Sequence, residues 1–502
     1  MPKLTIHRGP QTFSVDFDHA EKLSALLAKA GQPLAQPCGG RGVCGKCAVL
    51  LEGDVSVPND AEICCGARLA CQAVICGDAA VILPEAQAMQ QIEVGSRAAL
   101  TPVEPMPGRI GAAVDIGTTT LALRLSDLTT GECLAVTTML NPQTTVAADV
   151  IGRIDAAMKG QLSGLQASIG EAIGTMLLMA CAQADCSPET VETLVVTGNT
   201  TMLYLFTGRA PASLSRAPFE ADCLFGEERT LLNRRVYLPP CLHAFVGADT
   251  TCALLASGML DRPETALLCD IGTNGEIALW HKGQLYIAST AAGPAFEGAG
   301  ISCGCGSISG AVDRVWVEGD ELRVHTIEDK KPVGLCGSGL VDAVAALLDT
   351  EVIDETGAMD EDVYELAAGV SLTQRDVRAL QLAKAAMAAG MDSLLHAAGC
   401  PTDEVAAVYV AGGFGSHLNI ATAARIGLIH PVLADRVCFI GNAALDGAAM
   451  LLMDTTMWKR ATALRQQAKH VRLDGNAYFS QKYVDAMMFE SDMLPLISER
   501  HE

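Results

Sequence analysis

The sequence predicts a multidomain α/β protein, with a small cysteine-bearing unit ahead of two similar lobes. Three observations predict it. The string Asp-Ile-Gly-Thr occurs at 115–118 and again at 270–273, each time between apolar runs (VDIGTTTLAL and CDIGTNGEIAL). A glycine-rich run with three cysteines, PCGGRGVCGKCAVL, occupies 37–50. The chain has 502 residues, half of them hydrophobic, with 48 glycines and 4% aromatics, which suits several α/β domains with many tight turns.

A formal net charge of −23 opposes binding to a phosphate backbone or an anionic membrane surface, so neither nucleic acid nor membrane is expected as a partner. The N-terminus lacks the basic, apolar, small-residue succession of a signal peptide. No window approaches the roughly 20 uninterrupted apolar residues of a membrane span. Nineteen cysteines in such a chain point to a reducing cytoplasm, where thiols are metal ligands, reactive groups or small core residues rather than disulfides.

Residues 4–17 read as two strands about the Gly9-Pro10 turn, and 19–30 as a helix with Leu23, Leu26, Leu27 and Ala30 on one face. The cysteine loop follows, then strands near 48–57 and 68–83. These elements define a first domain over 1–92. Residues 93–110 carry three prolines and little periodicity, and read as a linker on which that domain swings. From Gly111 to about 460 strand and helix signals alternate. The repeated hairpin divides this stretch into a first lobe, 111–265, and a second, 266–502, with a helix near 441–453 returning to the first.

Cys38, Cys44 and Cys47 form C-x5-C-x2-C among glycines. Thiolates that converge on an iron–sulfur cluster need a close backbone wrap, which glycine permits. A fourth thiolate is required, and Cys71 in ARLACQ is the choice, with Cys64 or Cys65 as the alternative. Zinc would favour two CxxC knuckles, and only one is present. The spacing is similar to that of adrenodoxin-type 2Fe-2S ferredoxins, and the order of elements matches their β-grasp domain.

In each hairpin the Gly-Thr backbone can turn its N–H groups and hydroxyls inward, so a pair can grip a nucleotide's phosphates from both sides. Gly117, Thr118, Thr119 and Thr120 serve in the first, Gly272, Thr273 and Asn274 in the second. Asp115 and Asp270, at the strand ends, can hold Mg²⁺ through water and orient an attacking water. Asp249, in the small-residue helix of FVGADTTCALLA, reads either as a polar partner of the terminal phosphate or as a helix N-cap. Gly412, Gly413, Phe414 and Gly415, after the buried-strand run of VYVAGGFGSHLN, suit close approach by adenine, and GNAALDGAAMLL is a second Gly/Ala helix. Cys303, Cys305 and Cys336 sit in glycine turns and read as small residues there rather than as a second metal site.

These five segments, in this order, resemble the phosphate, connect and adenosine motifs of the actin, Hsp70 and sugar kinase ATPases. Further strings, NPQTTVAADVIGRI, VVTGNTTMLYLF, FEGAGISCGCGSISGAV, GLCGSGLVDA and TQRDVRALQLAKAAMAAG, extend the likeness. With the ferredoxin-like unit in front, the whole chain resembles the reductive activators of corrinoid proteins. The resemblance implies a 2Fe-2S cluster, ATP and Mg²⁺ as cofactors. It implies a cob(II)amide-bearing corrinoid protein of a methyltransferase system as partner, reduced by one electron to cob(I)amide. It also implies an upstream low-potential electron donor, and it allows a homodimer. Larger members carry a middle domain after the ferredoxin, and only 93–110 lies between cysteine domain and first hairpin here. Rival readings are an ATP-driven electron donor to another enzyme, a small-molecule kinase with a redox-regulating ferredoxin, and a redox-sensing scaffold without ATP turnover.

Overall fold

The computed structural model describes residues 1–32, 34, 42, 47–83, 96–103, 109–319, 321–414 and 418–489. Cys38, Cys44, Gly415 and the Cys65 side chain lie outside the described residues. The chain divides into two units, one of Met1–Met89, Leu140–Ala172 and Tyr204–Arg216, the other of Gln90–Met139, Ile173–Leu203 and Ala217–Glu502.

The first unit begins with strands β1 (Lys3–Arg8) and β2 (Gln11–Asp16), joined at Gly9, whose φ of +55° suits glycine. Strand β3 (Glu21–Lys22) leads into helix α1 (Leu23–Lys29), which buries Leu23, Leu26 and Leu27. Then come β4 (Ala48–Val55), helix α2 (Asp60–Cys65), β5 (Arg68–Leu69) and β6 (Val74–Leu83). The sheet order is β2-β1-β6-β4-β5, with β1 and β6 parallel at its centre. The run read as one strand over 68–83 is two, parted by a turn that carries Cys71. Helix α2 was not read from the sequence. Its Asn59 side chain accepts from the Glu62 amide and the Glu62 carboxylate accepts from the Asn59 amide, both at 3.1 Å, a closed capping box.

The second unit holds two sheets of the same build. In the first, β7 (Ile110–Ile116), β8 (Thr120–Asp127) and β9 (Cys133–Leu140) form a meander. Helices α3 (Val150–Ala156) and α4 (Leu162–Gln183) follow in the chain, α3 and the first half of α4 belonging to the first unit, then β10 (Val191–Gly198), which pairs parallel to β7. Helix α5 (Thr200–Phe206), whose last three residues belong to the first unit, hairpin β11 (Glu227–Leu231) and β12 (Arg234–Leu238), and helix α6 (Ala248–Ser257) come next. In the second sheet, β13 (Thr265–Ile271), β14 (Gly275–His281) and β15 (Gln284–Thr290) repeat the meander. An inserted sheet, β16 (Ala311–Glu318), β17 (Glu321–Thr326) and β18 (Gly334–Leu335), precedes helix α7 (Gly337–Asp349). Hairpin β19 (Val363–Ala367) and β20 (Val370–Thr373), helix α8 (Gln374–Ala398) and β21 (Val405–Ala411) come next. Strand β21 pairs parallel to β13, as β10 does to β7. The equivalence is positional: Asp115 and Asp270 are each the last residue but one of their strand.

Helix α9 (Ile420–Arg425) and strand β22 (Val437–Phe439) lead to α10 (Ala443–Met453), the return helix, which packs on α6, β7 and β10. Gly447 makes the α6–α10 crossing close: a Cβ there would strike the Cys252 carbonyl. Helix α11 (Met457–Gln467), strand β23 (Lys469–His470) and helix α12 (Ala477–Asp485) end the order. After α12 the backbone turns inward. Gln381 donates to the Met487 carbonyl, Lys384 Nζ to the Met488 carbonyl at 2.6 Å, and the Lys384 ammonium lies 4.7 Å from the centre of the buried Phe489 ring.

Two expectations are corrected. Residues 96–103 do not form a free tether. Both Asp446 carboxylate oxygens accept from the Ser96 amide, and the buried Arg124 donates to the Ser96 and Ala98 carbonyls at 2.6 Å. Leu100 N donates to Gly131 O and Val103 N to Met453 O. One helical run, Val150–Gln183, does reach the length and apolarity of a membrane span. It is broken at Gly160, whose φ is +94°, and carries Arg153, fully buried and bonded to Ala147 O and Gln143 Oε1.

Candidate nucleotide and cluster sites

The turns of both hairpins open on one cleft of about 250 Å³ that is open to solvent. It is lined by Asp115, Gly117, Thr118, Thr119 and Thr120 from the first hairpin and by Asp270 and Gly272 from the second. Asp249 of α6 and Gly412, Gly413 and Phe414 after β21 complete the sequence-predicted set. Thr273 and Asn274 are outside this lining: the Thr273 hydroxyl donates to Glu297, and the Asn274 carbonyl accepts from Gly272 N at 3.2 Å. Gly412 has φ +90°, and a Cβ on it would come within 2.8 Å of Asp270 Oδ1, so glycine there lets the strand end lie against that carboxylate.

The carboxyls crowd one another. Burial, then the charges of Asp249 and Asp270, push Asp115 up to about 8, while Asn442 opposes them with a hydrogen bond. Burial, then Asp249 and Glu297, pushes Asp270 up to about 7. Burial also raises Asp249. Its N-cap reading does not hold, because Gly247 occupies the cap position of α6 and Asp249 stands in the first turn. Packed acids of this kind favour a divalent cation among them.

Sequence reasoning missed several residues. Glu276 faces Asp270 across the β13–β14 pairing, and burial raises its carboxyl strongly. Glu297 lines the cleft and bonds to both hairpins. Asn442 caps α10 through Leu445 N and hydrogen-bonds Asp115. Asn199, in VVTGNTT, donates to Thr118 Oγ1 at 3.1 Å. Ser338 and Ser307 also line the cleft. Only the asparagine and serine strings carried a signal, as polar residues in glycine turns.

In the first unit Ala70 N donates to Cys47 O at 2.9 Å, which brings the Cys71 turn beside Cys47. The two buried thiols are in hydrogen-bond contact, and that contact, aided by Gln72 and Gly42, holds Cys71 well below the ordinary thiol value against the opposing effect of burial. Buried Glu62 fixes this turn by accepting from Arg68 Nε and Leu69 N, each at 3.0 Å. Cys64 and Cys76 are exposed.

The cysteines of the glycine turns in the second unit do not converge. Cys303 Sγ accepts from Ser371 N, Cys336 lies against Ser338 Oγ, and Cys305 lines the cleft. Among the described residues the convergent set of metal-ligand type is His281, Cys400 and Glu404. Thr265 holds His281 Nδ1 at 2.8 Å, and Lys282 lies 3.9 Å from Glu404.

Two duplicated sheets, each presenting an Asp-Ile-Gly-Thr hairpin to one cleft, define an α/β protein of the ASKHA class. A model described as the C-terminal, ASKHA domain of RACo matches residues 264–499, and one described as the RACo middle region matches 110–262. The corrinoid activation enzyme RamQ of Eubacterium limosum is 33% identical over 422 residues, 76% of this chain and 71% of that one. The Co(II) methylated amine-specific corrinoid protein reductase of Methanosarcina barkeri is 27% identical over 429 residues, 77% of this chain and 78% of that one. A solved reductive activator for corrinoid, iron–sulfur protein superposes with a TM-score of 0.70 at 25% identity, covering 97% of this chain and 98% of the other. The chain belongs to the family of reductive activators of corrinoid proteins, and it is an enzyme. The middle region sought between cysteine domain and first hairpin matches the residues read as the first lobe.

Proposed function

We propose that the protein is an ATP-dependent activator that returns a cob(II)amide protein of a methyltransferase system to cob(I)amide by one-electron reduction. The observation that carries this reading is the single cleft onto which both hairpins open, with Asp115, Asp249 and Asp270 in its lining. Gly117–Thr120 and Gly272–Asn274 hold the phosphates through backbone N–H groups and hydroxyls. Gly412–Gly415 pack on adenosine. Asp115 and Asp270 would hold Mg²⁺ and orient the attacking water, and Asp249 would serve the terminal phosphate. The crowding of these carboxyls, whose mutual repulsion a cation would relieve, fits this assignment.

Cys38, Cys44, Cys47 and Cys71 hold the 2Fe-2S cluster. The touching, buried Cys47 and Cys71 thiols, with Cys71 biased toward thiolate, fit that assignment. When bound, the cluster supplies a one-electron carrier of low potential. The chain's own part is to hold two conformations whose populations nucleotide shifts by its differential affinity for them. The corrinoid protein docks on one of these, an upstream low-potential donor refills the activator, and a homodimer is compatible with this cycle in the cytoplasm.

The test uses the anaerobically reconstituted protein, a chemical reductant and a cob(II)amide-loaded corrinoid protein. Cob(I)amide absorption should rise only with MgATP, and Cys71→Ser should abolish the rise. Equal rates without ATP would overturn the ATPase half of the proposal, and an active Cys71→Ser the cluster half.

A further inference from the structure

Glu297 joins the two hairpins. Its Oε2 accepts from the hydroxyls of Thr119, on the first hairpin, at 3.2 Å and Thr273, on the second, at 2.9 Å. Its Oε1 accepts from Thr273 N at 3.2 Å. The carboxylate also rests on Gly272, where a Cβ would stand 3.5 Å from Oε1. One anion therefore collects a backbone N–H and two hydroxyls from both sides of the cleft. That donor set is the one a phosphate would use.

Asp115, Asp249 and Asp270 line the same cleft, and the Glu297 charge adds to what raises Asp270 and Glu276. The residue stands at the end of a short turn, Pro294–Glu297, between Gly293 at φ +81° and Gly298 at φ +71°. Phe296 before it is buried, with its ring 4.9 Å from that of Phe414. The turn is thus anchored, with the half-buried Glu297 side chain at its end on the cleft.

We propose that Glu297 is a built-in stand-in for phosphate. It occupies the Thr119 and Thr273 donors in the nucleotide-free protein and is displaced when a nucleotide polyphosphate arrives. This rests on the nucleotide reading of the cleft. Binding is then an exchange of anions at shared donors, and Glu297 sets the affinity by competing for them. It also ties the hairpins together until nucleotide takes over the tie.

The test is calorimetry with MgATP and with adenosine on the cluster-loaded full chain and its Glu297→Ala and Glu297→Gln variants. With the competitor removed, Glu297→Ala should bind MgATP about tenfold more tightly, with adenosine affinity unchanged. Its nucleotide-free melting temperature should fall, and its rise on adding MgATP should exceed that of wild type. Should the alanine variant fail to fold, Glu297→Gln, of equal size but neutral, should tighten MgATP in the same direction. Unchanged or weaker MgATP binding by a folded variant, with adenosine still bound, overturns the stand-in and leaves the nucleotide site standing. A wild type that binds neither MgATP nor adenosine overturns the nucleotide reading and this inference with it.

Discussion

The Ser96 amide donates to both carboxylate oxygens of Asp446, at 2.9 and 3.1 Å. Asp446 lies one turn into α10, and the cap residue of that helix, Asn442, touches Asp115 in the cleft. The segment after the cysteine domain is therefore gripped by the helix that starts at the candidate nucleotide site. Asp446→Ala should release it. Amide exchange at Ser96 and Ala98 should quicken about tenfold, the weight of one charged hydrogen bond, with iron content unchanged. Unaltered exchange would mean that the Arg124 contacts to the two carbonyls hold the segment alone.

Cys71→Ser and Cys47→Ser should each lose the visible spectrum of the cluster and most of the bound iron. Cys64→Ser and Cys76→Ser, on exposed side chains, should keep both. Iron assay and absorption after anaerobic reconstitution read the outcome. Retention by Cys71→Ser together with loss in Cys64→Ser would transfer the fourth ligand to Cys64.

Asp270→Ala should lower ATP-dependent activation by about 100-fold or more, since a carboxylate that positions cation and water is worth several kcal/mol. Its cluster spectrum should match wild type, because the thiols lie in the other unit. Wild-type activation at saturating MgATP would make the second hairpin a structural turn.

His243 and His470 stack with ring centroids 3.6 Å apart. Burial, then the His243 charge, pushes His470 down to about 4, Arg472 adding to this and Asp474 opposing; burial also lowers His243. Both folded values lie below the unfolded one, so the unfolded chain binds more protons in between. Stability from this pair is present above about 6.5 and is lost as pH falls toward 4. His470→Phe keeps the stack and cannot protonate. The drop in melting temperature from pH 7 to pH 5 should be smaller in that variant. An equal drop would assign the acid sensitivity elsewhere.

The paired hairpins were legible because Asp-Ile-Gly-Thr is a local device, written twice in contiguous residues. So were β1, β2 and α1, each fixed by alternation or helical spacing. Helix α2 was legible in principle, from Asn59 and Glu62 at capping-box spacing, but its six residues leave no periodicity to count. Glu297 and Arg124 were not. The first matters only because two distant hairpins meet, and the second is a lone charge in the apolar strand LALRLSD whose partners are carbonyls of another segment. Such long-range satisfaction of a buried group depends on the fold and leaves no local pattern.

The inward turn at Met487–Phe489 works as a latch on α8. Lys384 stands midway along the second lobe, whereas the carbonyl and ring that face it come from the last described residues. Without that turn the Lys384 ammonium would lose both contacts, at a cost of several kcal/mol. The turn thus fastens α8, and loosening it should expose that helix to protease before the rest of the lobe.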